Sequence, residues 1–288
     1  MSFIRISICL FSLAAWSVPA AQGTLIVQGY NTNFHDRFTN HADFIGNPYN
    51  WSGVGRGTQW ATMVSDSFFV SASHAHPGLN ADVTFYHGND PGGMSESHTV
   101  AQGWRIDGSD LWLGRLSSSV SSNVEKYAIA DVTPSGAEGL TFSTFGRTGG
   151  AATPTSQRMG RNVVTQSITN FSDPALSGSG DVFIFDYDVP GLGADEARVT
   201  GGDSGAPTFV LTPSGPAVLG IHWFMYQNEM LGELGSGDTF VPSYIDDMNL
   251  IMAGFGESLS VVAVPEPSSV VLLFSIAAGI ALYRRRLR

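Results

Sequence analysis

Thiol chemistry is almost absent from this chain of 288 residues, because its single cysteine is Cys9. One cysteine can form no internal disulfide, so the fold has to be stabilised by its own core, and zinc sites built on thiolates are excluded. Basic residues are also scarce, with 14 Lys and Arg against 25 Asp and Glu. This acidic balance argues against nucleic acid as a partner and favours solubility.

Long apolar runs are confined to the two ends of the sequence. At the start, Arg5 precedes a mostly apolar stretch over 6–18, and Val18-Pro19-Ala20 offers small residues at a cleavage point. This pattern predicts a secretory signal peptide over residues 1–20. Its removal would leave an exported chain without any thiol.

The C-terminal end carries a second targeting pattern. Pro265-Glu266-Pro267 precedes an apolar run over 270–283, and four arginines follow in 284–288. Positive charge after an apolar stretch holds that end on the cytoplasmic side of a membrane. Residues 264–288 resemble the PEP-CTERM sorting signals of Gram-negative bacteria. The resemblance implies a transient stay in the inner membrane, processing by an exosortase-type enzyme, and a destination in the cell envelope, at the cell surface or in the extracellular matrix; an ordinary membrane anchor is the alternative.

The body between these segments is strongly acidic and reads as β structure. Five arginines and one glutamate lie in the two segments, which leaves 9 basic against 24 acidic side chains and a net charge of −15. Short apolar runs alternate with Gly, Ser, Asn, Asp and Pro clusters, as is typical of an all-β sandwich or barrel. Turn chemistry over 131–136 favours a boundary between two halves there.

The run Gly201-Gly202-Asp203-Ser204-Gly205-Ala206-Pro207 has the composition that a nucleophilic hydroxyl needs. Glycine lets the backbone turn tightly and leaves room for a substrate carbonyl at Ser204. Such a turn can also aim backbone N–H groups at one point, as an oxyanion hole requires. The run resembles the nucleophile loop of the chymotrypsin-like serine peptidases, in which Gly-Asp-Ser-Gly is followed by a small residue and proline.

A histidine motif of the same family stands upstream. Two strands are expected over 61–65 and 68–71, joined by a two-residue turn, and the second ends in Ser71-Ala72-Ser73-His74. This resembles the family's strand followed by Ser/Thr-Ala-Ala-His, with Ser73 in place of the second alanine and Ala75 in place of the usual cysteine. The resemblance implies that His74 is the general base; His76 is the competing candidate.

An aspartate motif completes the pattern. Asp110 opens the expected strand Leu111-Trp112-Leu113-Gly114-Arg115-Leu116, which resembles the family's Asp-Ile/Leu-x-Leu-x-x-Leu and implies that Asp110 is the third triad member. Asp107 is the runner-up, although no strand follows it in the right phase. The chain order His, Asp, Ser belongs to the chymotrypsin-like arrangement.

The resemblance implies acyl transfer by these three residues. Ser204 would attack a peptide carbonyl, His74 would move the proton to the leaving amine, and Asp110 would hold the imidazole tautomer. The N–H groups of Gly202 and Ser204 would bind the oxyanion. This chemistry needs no metal ion and no organic cofactor.

One residue after the serine, His222, and one before it, Arg198, are candidates for substrate specificity. Gly220-Ile221-His222-Trp223 resembles bacterial glutamyl endopeptidases, where that histidine contacts an acidic substrate side chain. Arg198 lies six residues before Ser204, where the base of the family's specificity pocket usually is, and a cation there would also suit an acidic side chain. A core histidine and a solvated arginine are the alternative.

The start of the body loosely resembles the activated N-terminus of the family. In that family a freed amine, here at Ile26 of Ile26-Val27-Gln28-Gly29, pairs with the acid before the serine, here Asp203. A short apolar strand would look the same. If Ile26 is not freed, Asp203 must find another partner, because a buried unpaired carboxylate is costly.

The whole-chain expectation follows from the resemblance. It implies two six-stranded antiparallel β-barrels over 21–133 and 134–256, with the site between them and a helix at the end of the second. Apolar residues at helical spacing over 244–252 support that helix. The expected function is an exported serine endopeptidase acting on proteins or peptides, with acidic preference before the scissile bond as one version. A non-catalytic envelope or matrix protein on a peptidase scaffold is the alternative.

Overall fold

The computed structural model describes residues 23–149, 152–176, 178–188, 191–227 and 234–264. The expected signal peptide, Cys9 and all but the first residue of the expected sorting signal lie outside these ranges. Within them, no helix has both the length and the apolar character needed to cross a membrane.

Strands dominate the described residues, as the sequence predicts. In chain order they are β1 (Ile26–Val27), β2 (Val54–Arg56), β3 (Trp60–Met63), β4 (Phe68–Ala72), β5 (Asp82–Tyr86), β6 (Ser95–Arg105), β7 (Leu111–Leu116), β8 (Ala128–Asp131), β9 (Thr141–Gly146), β10 (Arg158–Val163), β11 (Gln166–Ser172), β12 (Ser179–Tyr187), β13 (Ala197–Arg198), β14 (Pro207–Thr212), β15 (Gly215–Gln227), β16 (Leu234–Phe240) and β17 (Val261–Ala263). The helices are α1 (Thr32–His35), α2 (Pro134–Ala137) and α3 (Ile245–Ala253), with 3-10 turns at Arg37–Thr39, Gly193–Asp195 and Val241–Tyr244.

The first half closes into a barrel of six strands in the order β2-β3-β4-β7-β6-β5. Strand β4 is buried on both faces because alternate side chains enter different clusters. Phe69 packs into the cluster inside the barrel, whereas Phe68, Val70 and Ala72 join a cluster shared with the second half. The turn from β3 to β4 spans residues 64–67, so it is longer than the two residues expected.

The second half forms a nine-stranded sheet, in which β10-β9-β14-β15-β16-β12-β11 is the main path and β8 joins β15 and β17. Among the described residues this sheet does not close into the second six-stranded barrel that the resemblance implies. The side chain of Asn162 in β10 donates to Asp186 O in β12 and to Ala197 O in β13, both at 2.8 Å. A side-chain amide therefore bridges the seam where a barrel would have a backbone ladder.

The expected C-terminal helix is present as α3, and its apolar stripe is core, with Met248 and Met252 fully buried. The Ser243 hydroxyl, just before α3, donates to Asp181 Oδ2 at 2.7 Å and makes no capping hydrogen bond to the helix.

The residues after α3 return to the first barrel. The carboxylate of Glu257 accepts hydrogen bonds from the hydroxyls of Ser65 and Ser67 and from Ser67 N–H. Burial raises the pKa of Glu257, but these hydrogen bonds outweigh it and hold the pKa below its ordinary value. The C-terminal end of the second half is thereby tied to the first.

Candidate active site

The pairing of β4 with β7 brings His74 and Asp110 together. Ala72, the last residue of β4, lies opposite Leu111, the first residue of β7. The residues just beyond Ala72 and just before Leu111 must therefore be neighbours. Ser73 N–H donates to Asp110 O at 2.6 Å, which locks the two segments at this point.

The Asp110 carboxylate holds His74 through both of its oxygens. Oδ1 accepts from the backbone N–H of His74 at 3.1 Å, and Oδ2 lies 2.6 Å from His74 Nδ1. A proton on Nδ1 satisfies this contact, so the neutral imidazole keeps its lone pair on Nε2. This is the tautomer that a general base needs.

Burial sets the electrostatics of the pair. The side chain of Asp110 is fully buried, whereas that of His74 is 26% exposed. Burial raises the pKa of Asp110, and the hydrogen bonds from His74 lower it without cancelling the rise. A carboxylate out of water interacts more strongly with an imidazolium than an exposed one does.

The competing candidates occupy other positions. His76 stacks on Trp112 with ring centroids 3.7 Å apart, and its Nδ1 lies 3.0 Å from Pro77 O. Asp107 is exposed on the loop between β6 and β7. The structure thus pairs His74 with Asp110 and leaves His76 and Asp107 outside the pair.

Ser204 lies on a tight turn flanked by two glycines with positive φ, +99° at Gly202 and +85° at Gly205. Only glycine adopts such angles readily. The N–H of Asp203 donates to Thr200 O, but the N–H groups of Gly202 and Ser204 have no hydrogen-bond partner among the described residues. Two backbone donors of this turn are therefore available to an oxyanion, which needs such N–H groups directed at one point.

The serine turn lies against the turn that carries His74. A Cβ added at Gly205 would lie 2.7 Å from Ser71 Oγ and 2.9 Å from Ala75 O. The Ser204 hydroxyl itself makes no hydrogen bond to His74, or to any other described residue. Catalytic hydrogen bonds are often long in free enzymes and tighten with substrate, so this gap does not remove Ser204 as a candidate.

Asp203 finds its partners within the intact chain. Its buried carboxylate accepts from Arg147 N–H at 2.7 Å and from Thr200 N–H at 2.8 Å. Burial raises the pKa of Asp203, while these N–H groups lower it in part. Ile26 lies in strand β1, opposite Arg198 of β13. The buried acid is therefore satisfied without a free amine at Ile26.

His222 is a core residue with an acid of its own. Its Nδ1 lies 2.6 Å from Asp238 Oδ1, and its Nε2 lies 2.7 Å from Phe145 O and 2.9 Å from Thr144 Oγ1. Burial lowers the pKa of His222, but the charges of Asp238 and Asp203 and the hydrogen bonds to Asp238 and Phe145 O together outweigh this and raise it. Both ring nitrogens are thus occupied by the protein.

Arg198 is half-buried, and its guanidinium lies 5.6 Å from the centre of the Tyr187 ring. Burial lowers the pKa of Arg198, and Tyr187 partly restores it. In the described part of the chain, no hydrogen bond or ion pair joins Arg198 to His222 or to Ser204.

Sequence reasoning missed the residues that support the serine turn. Arg147 contributes its backbone N–H to Asp203, and its guanidinium packs so close to Gly202 that a Cβ there would lie 2.7 Å from Nη1. Asp238 was also missed, although β15 and β16 pair with His222 directly opposite it. A strand-pairing register could have found Asp238; nothing local in the sequence marks Arg147.

In the described ranges, no group of three or more His, Cys, Asp or Glu side chains is placed to hold a metal ion. Comparison with protein families gives no match for this chain, and comparison with curated proteins gives none either. Function must therefore be inferred from the geometry of His74, Asp110 and the turn at Ser204.

Proposed function

We propose that this protein is an exported serine endopeptidase with a chymotrypsin-like arrangement of two β halves. The observation that carries the proposal is the buried Asp110 carboxylate on His74 Nδ1, placed on the turn that packs against Gly205. A polar turn at Ser204 without catalytic purpose would not need a paired imidazole beside it. The unpaired N–H groups of Gly202 and Ser204 support the same function.

The proposed reaction is acyl transfer to water. His74 Nε2 takes the proton of the Ser204 hydroxyl as the oxygen attacks a peptide carbonyl, and a tetrahedral oxyanion forms. The N–H groups of Gly202 and Ser204 stabilise that oxyanion, at about 3 kcal/mol per donor. His74 then protonates the leaving amine, and water releases the acyl group by the same steps in reverse. Asp110 stays ionised and stabilises the imidazolium.

Acidic preference before the scissile bond rests on the sequence motif at 220–223. The geometry offers it little support, because both nitrogens of His222 are bonded within the protein. Export and sorting rest on the two terminal patterns, which imply a protein or peptide substrate in the envelope, at the cell surface or in the matrix.

A fluorophosphonate probe tests the proposed nucleophile directly. The chain over 21–264 would be treated beside Ser204→Ala and Ser135→Ala, the second being an exposed serine of α2. We expect labelling at Ser204 in the parent and in Ser135→Ala, and none in Ser204→Ala. Folded parent protein that takes no label, and cleaves no peptide from a library, would contradict the proposal.

A non-catalytic scaffold is the second candidate. The observation that favours it is the missing hydrogen bond between Ser204 and His74. The same probe separates the two functions, since a scaffold with an unactivated serine would react no faster than Ser204→Ala.

A further inference from the structure

The loop that carries Asp110 is closed by its own hydrogen bonds. Residues 106–110 join β6 to β7, and Ile106 N–H donates to Leu111 O at 2.9 Å. The Ser109 hydroxyl donates to Ile106 O at 2.7 Å and accepts from Leu111 N–H at 3.0 Å. These bonds fix the shape of the loop but leave its position relative to the second half undetermined.

Tyr244 reaches this loop from the second half. Its hydroxyl donates to Gly108 O at 3.2 Å and accepts from Asp181 N–H at 2.7 Å. The residue is buried, and burial raises the pKa of its phenol, so the hydroxyl stays protonated and remains a donor. One hydroxyl thereby connects the start of β12 to a carbonyl two residues before Asp110.

The first barrel holds the adjacent carbonyl. Arg105 donates from Nε and from Nη2 to Ser109 O, each at 3.2 Å. Its charge also acts on Asp110, lowering the pKa of that carboxyl in part. The two carbonyls that precede Asp110 thus accept hydrogen bonds from different halves, Gly108 O from Tyr244 and Ser109 O from Arg105.

Close approach of β12 makes the contact between halves tight. A Cβ added at Gly180 would lie 2.5 Å from Tyr244 Oη and 2.7 Å from Gly108 O. At Gly178 it would lie 3.2 Å from Arg105 Nη2. Only glycine leaves space for the loop, Tyr244 and Arg105 to meet here.

We propose that Tyr244, together with Arg105, positions Asp110 against His74 by clamping the carbonyls of Gly108 and Ser109. The clamp would keep Asp110 Oδ2 at its short distance from His74 Nδ1. This matters because catalytic groups need placement to within about 0.5 Å. The inference rests on the proposed peptidase function, and Tyr244 acts through Asp110 rather than on substrate.

The test compares Tyr244→Phe with Tyr127→Phe in the exported chain. The two changes are matched, because Tyr127 is also buried and its hydroxyl donates to a carbonyl, Asn50 O at 3.1 Å, away from the loop. Each variant would be measured for kcat and KM on a peptide substrate. The proton on His74 Nδ1 would be followed by its downfield NMR resonance, assigned by its loss in Asp110→Ala.

We expect Tyr244→Phe to lower kcat by about 10-fold or more with KM nearly unchanged, since small misplacements of catalytic groups act on the chemical step. The His74 resonance should shift or broaden. Tyr127→Phe should leave kcat and the resonance as in the parent. Equal loss in both variants, or an unchanged resonance in Tyr244→Phe, would overturn the proposal.

A further variant and the resonance itself cover two cases, that Tyr244→Phe does not fold and that the parent protein shows no activity. Arg105 is exposed, so Arg105→Lys opens no cavity; it keeps the positive charge near Asp110 but cannot donate to Ser109 O from two nitrogens, and it should shift the resonance even if Tyr244→Phe does not fold. If the parent chain hydrolyses nothing, the peptidase proposal fails on its own, whereas the resonance still decides whether Tyr244 positions Asp110.

Discussion

Removal of the residues before Ile26 should destabilise this protein rather than activate it. The Asp203 carboxylate already has Arg147 N–H and Thr200 N–H as partners. A freed amine at Ile26 would have to displace one of them. We therefore expect the intact chain to carry a competent serine turn, and the chain that begins at Ile26 to have a lower free energy of unfolding.

The size of the loss follows from what Thr24 and Leu25 contact. Leu25 is fully buried, and losing such a side chain costs about 2–5 kcal/mol. Three hydrogen bonds also go, from Leu25 N–H to Arg147 O, from Arg158 to Leu25 O and from Thr200 Oγ1 to Thr24 O, at about 1 kcal/mol each. The freedom regained by the chain offsets roughly 3 kcal/mol. The net loss is about 2–5 kcal/mol.

Urea unfolding followed by tryptophan fluorescence measures this loss, and the rate of fluorophosphonate labelling measures competence. Chains that begin at Ala21, Gly23 and Ile26 would be compared; the Gly23 chain has a new amine but keeps Leu25 and Thr24. We expect the first two to label alike and to unfold together. Labelling confined to the Ile26 chain, or greater stability in that chain, would refute the reasoning.

Three other changes test the site and its supports. Asp110→Asn should lower kcat by about 10⁴-fold, as an Asp-to-Asn exchange does at a serine triad, because His74 then favours the wrong tautomer; a loss below 10-fold in steady-state kinetics would argue against the pair. His222→Asn should cost about 3 kcal/mol in urea unfolding by breaking the buried pair with Asp238, whose carboxylate then keeps the Thr208 hydroxyl as its donor, and the ratio of cleavage after Glu to cleavage after Ala should be unchanged; a collapse of that ratio would restore His222 as a specificity residue. Because the folded pKa of Glu257 is lowered, its carboxylate stabilises the protein above pH 4.5 and loses that effect as pH falls through the lowered pKa. Glu257→Gln should therefore flatten the acid side of the stability curve, and an unchanged slope would contradict the assignment.

The pairing of His74 with Asp110 was predictable because both residues stand at strand ends with local signatures. Each motif lies at the end of a predictable strand. Antiparallel pairing of the two strands makes the residue after Ala72 a neighbour of the residue before Leu111. A tight turn at Ser204 was likewise expected from its glycines, and two of them, Gly202 and Gly205, have positive φ. The features of the site that depend on a short stretch of sequence could therefore be predicted from it.

The partners of Asp203 and His222 were not predictable in this way. Asp203 is held by the backbone N–H of Arg147, and every residue but proline carries such a group, so no residue type marks it. Asp238 meets His222 only through the register of β15 and β16. A motif that resembles a specificity histidine therefore does not define the surroundings of His222, which long-range pairing decides.

Closure of the second half was also beyond the sequence. Counting strands indicates how many could pair, but not whether the two edges meet with a compatible register. Here, among the described residues, backbone pairing is limited to a single bridge between Arg161 and Glu196, and the Asn162 side chain donates to Asp186 O and Ala197 O beside it. An asparagine inside a strand carries no signal that distinguishes this role from exposure to solvent.

The site divides into a rigid part and an adjustable part. His74 and Asp110 belong to the first half and share one β ladder, whereas Ser204 comes from the second half and meets the first through Gly205. Changes inside the barrel that leave the loop 106–110 and its clamp intact should therefore act mainly on stability, because acid and base then move together. Changes at the boundary between halves should act on kcat, because they alter the separation of Ser204 from His74. Gly205→Ala, which pushes a methyl group toward Ala75 O, is the substitution in which this distinction should be largest.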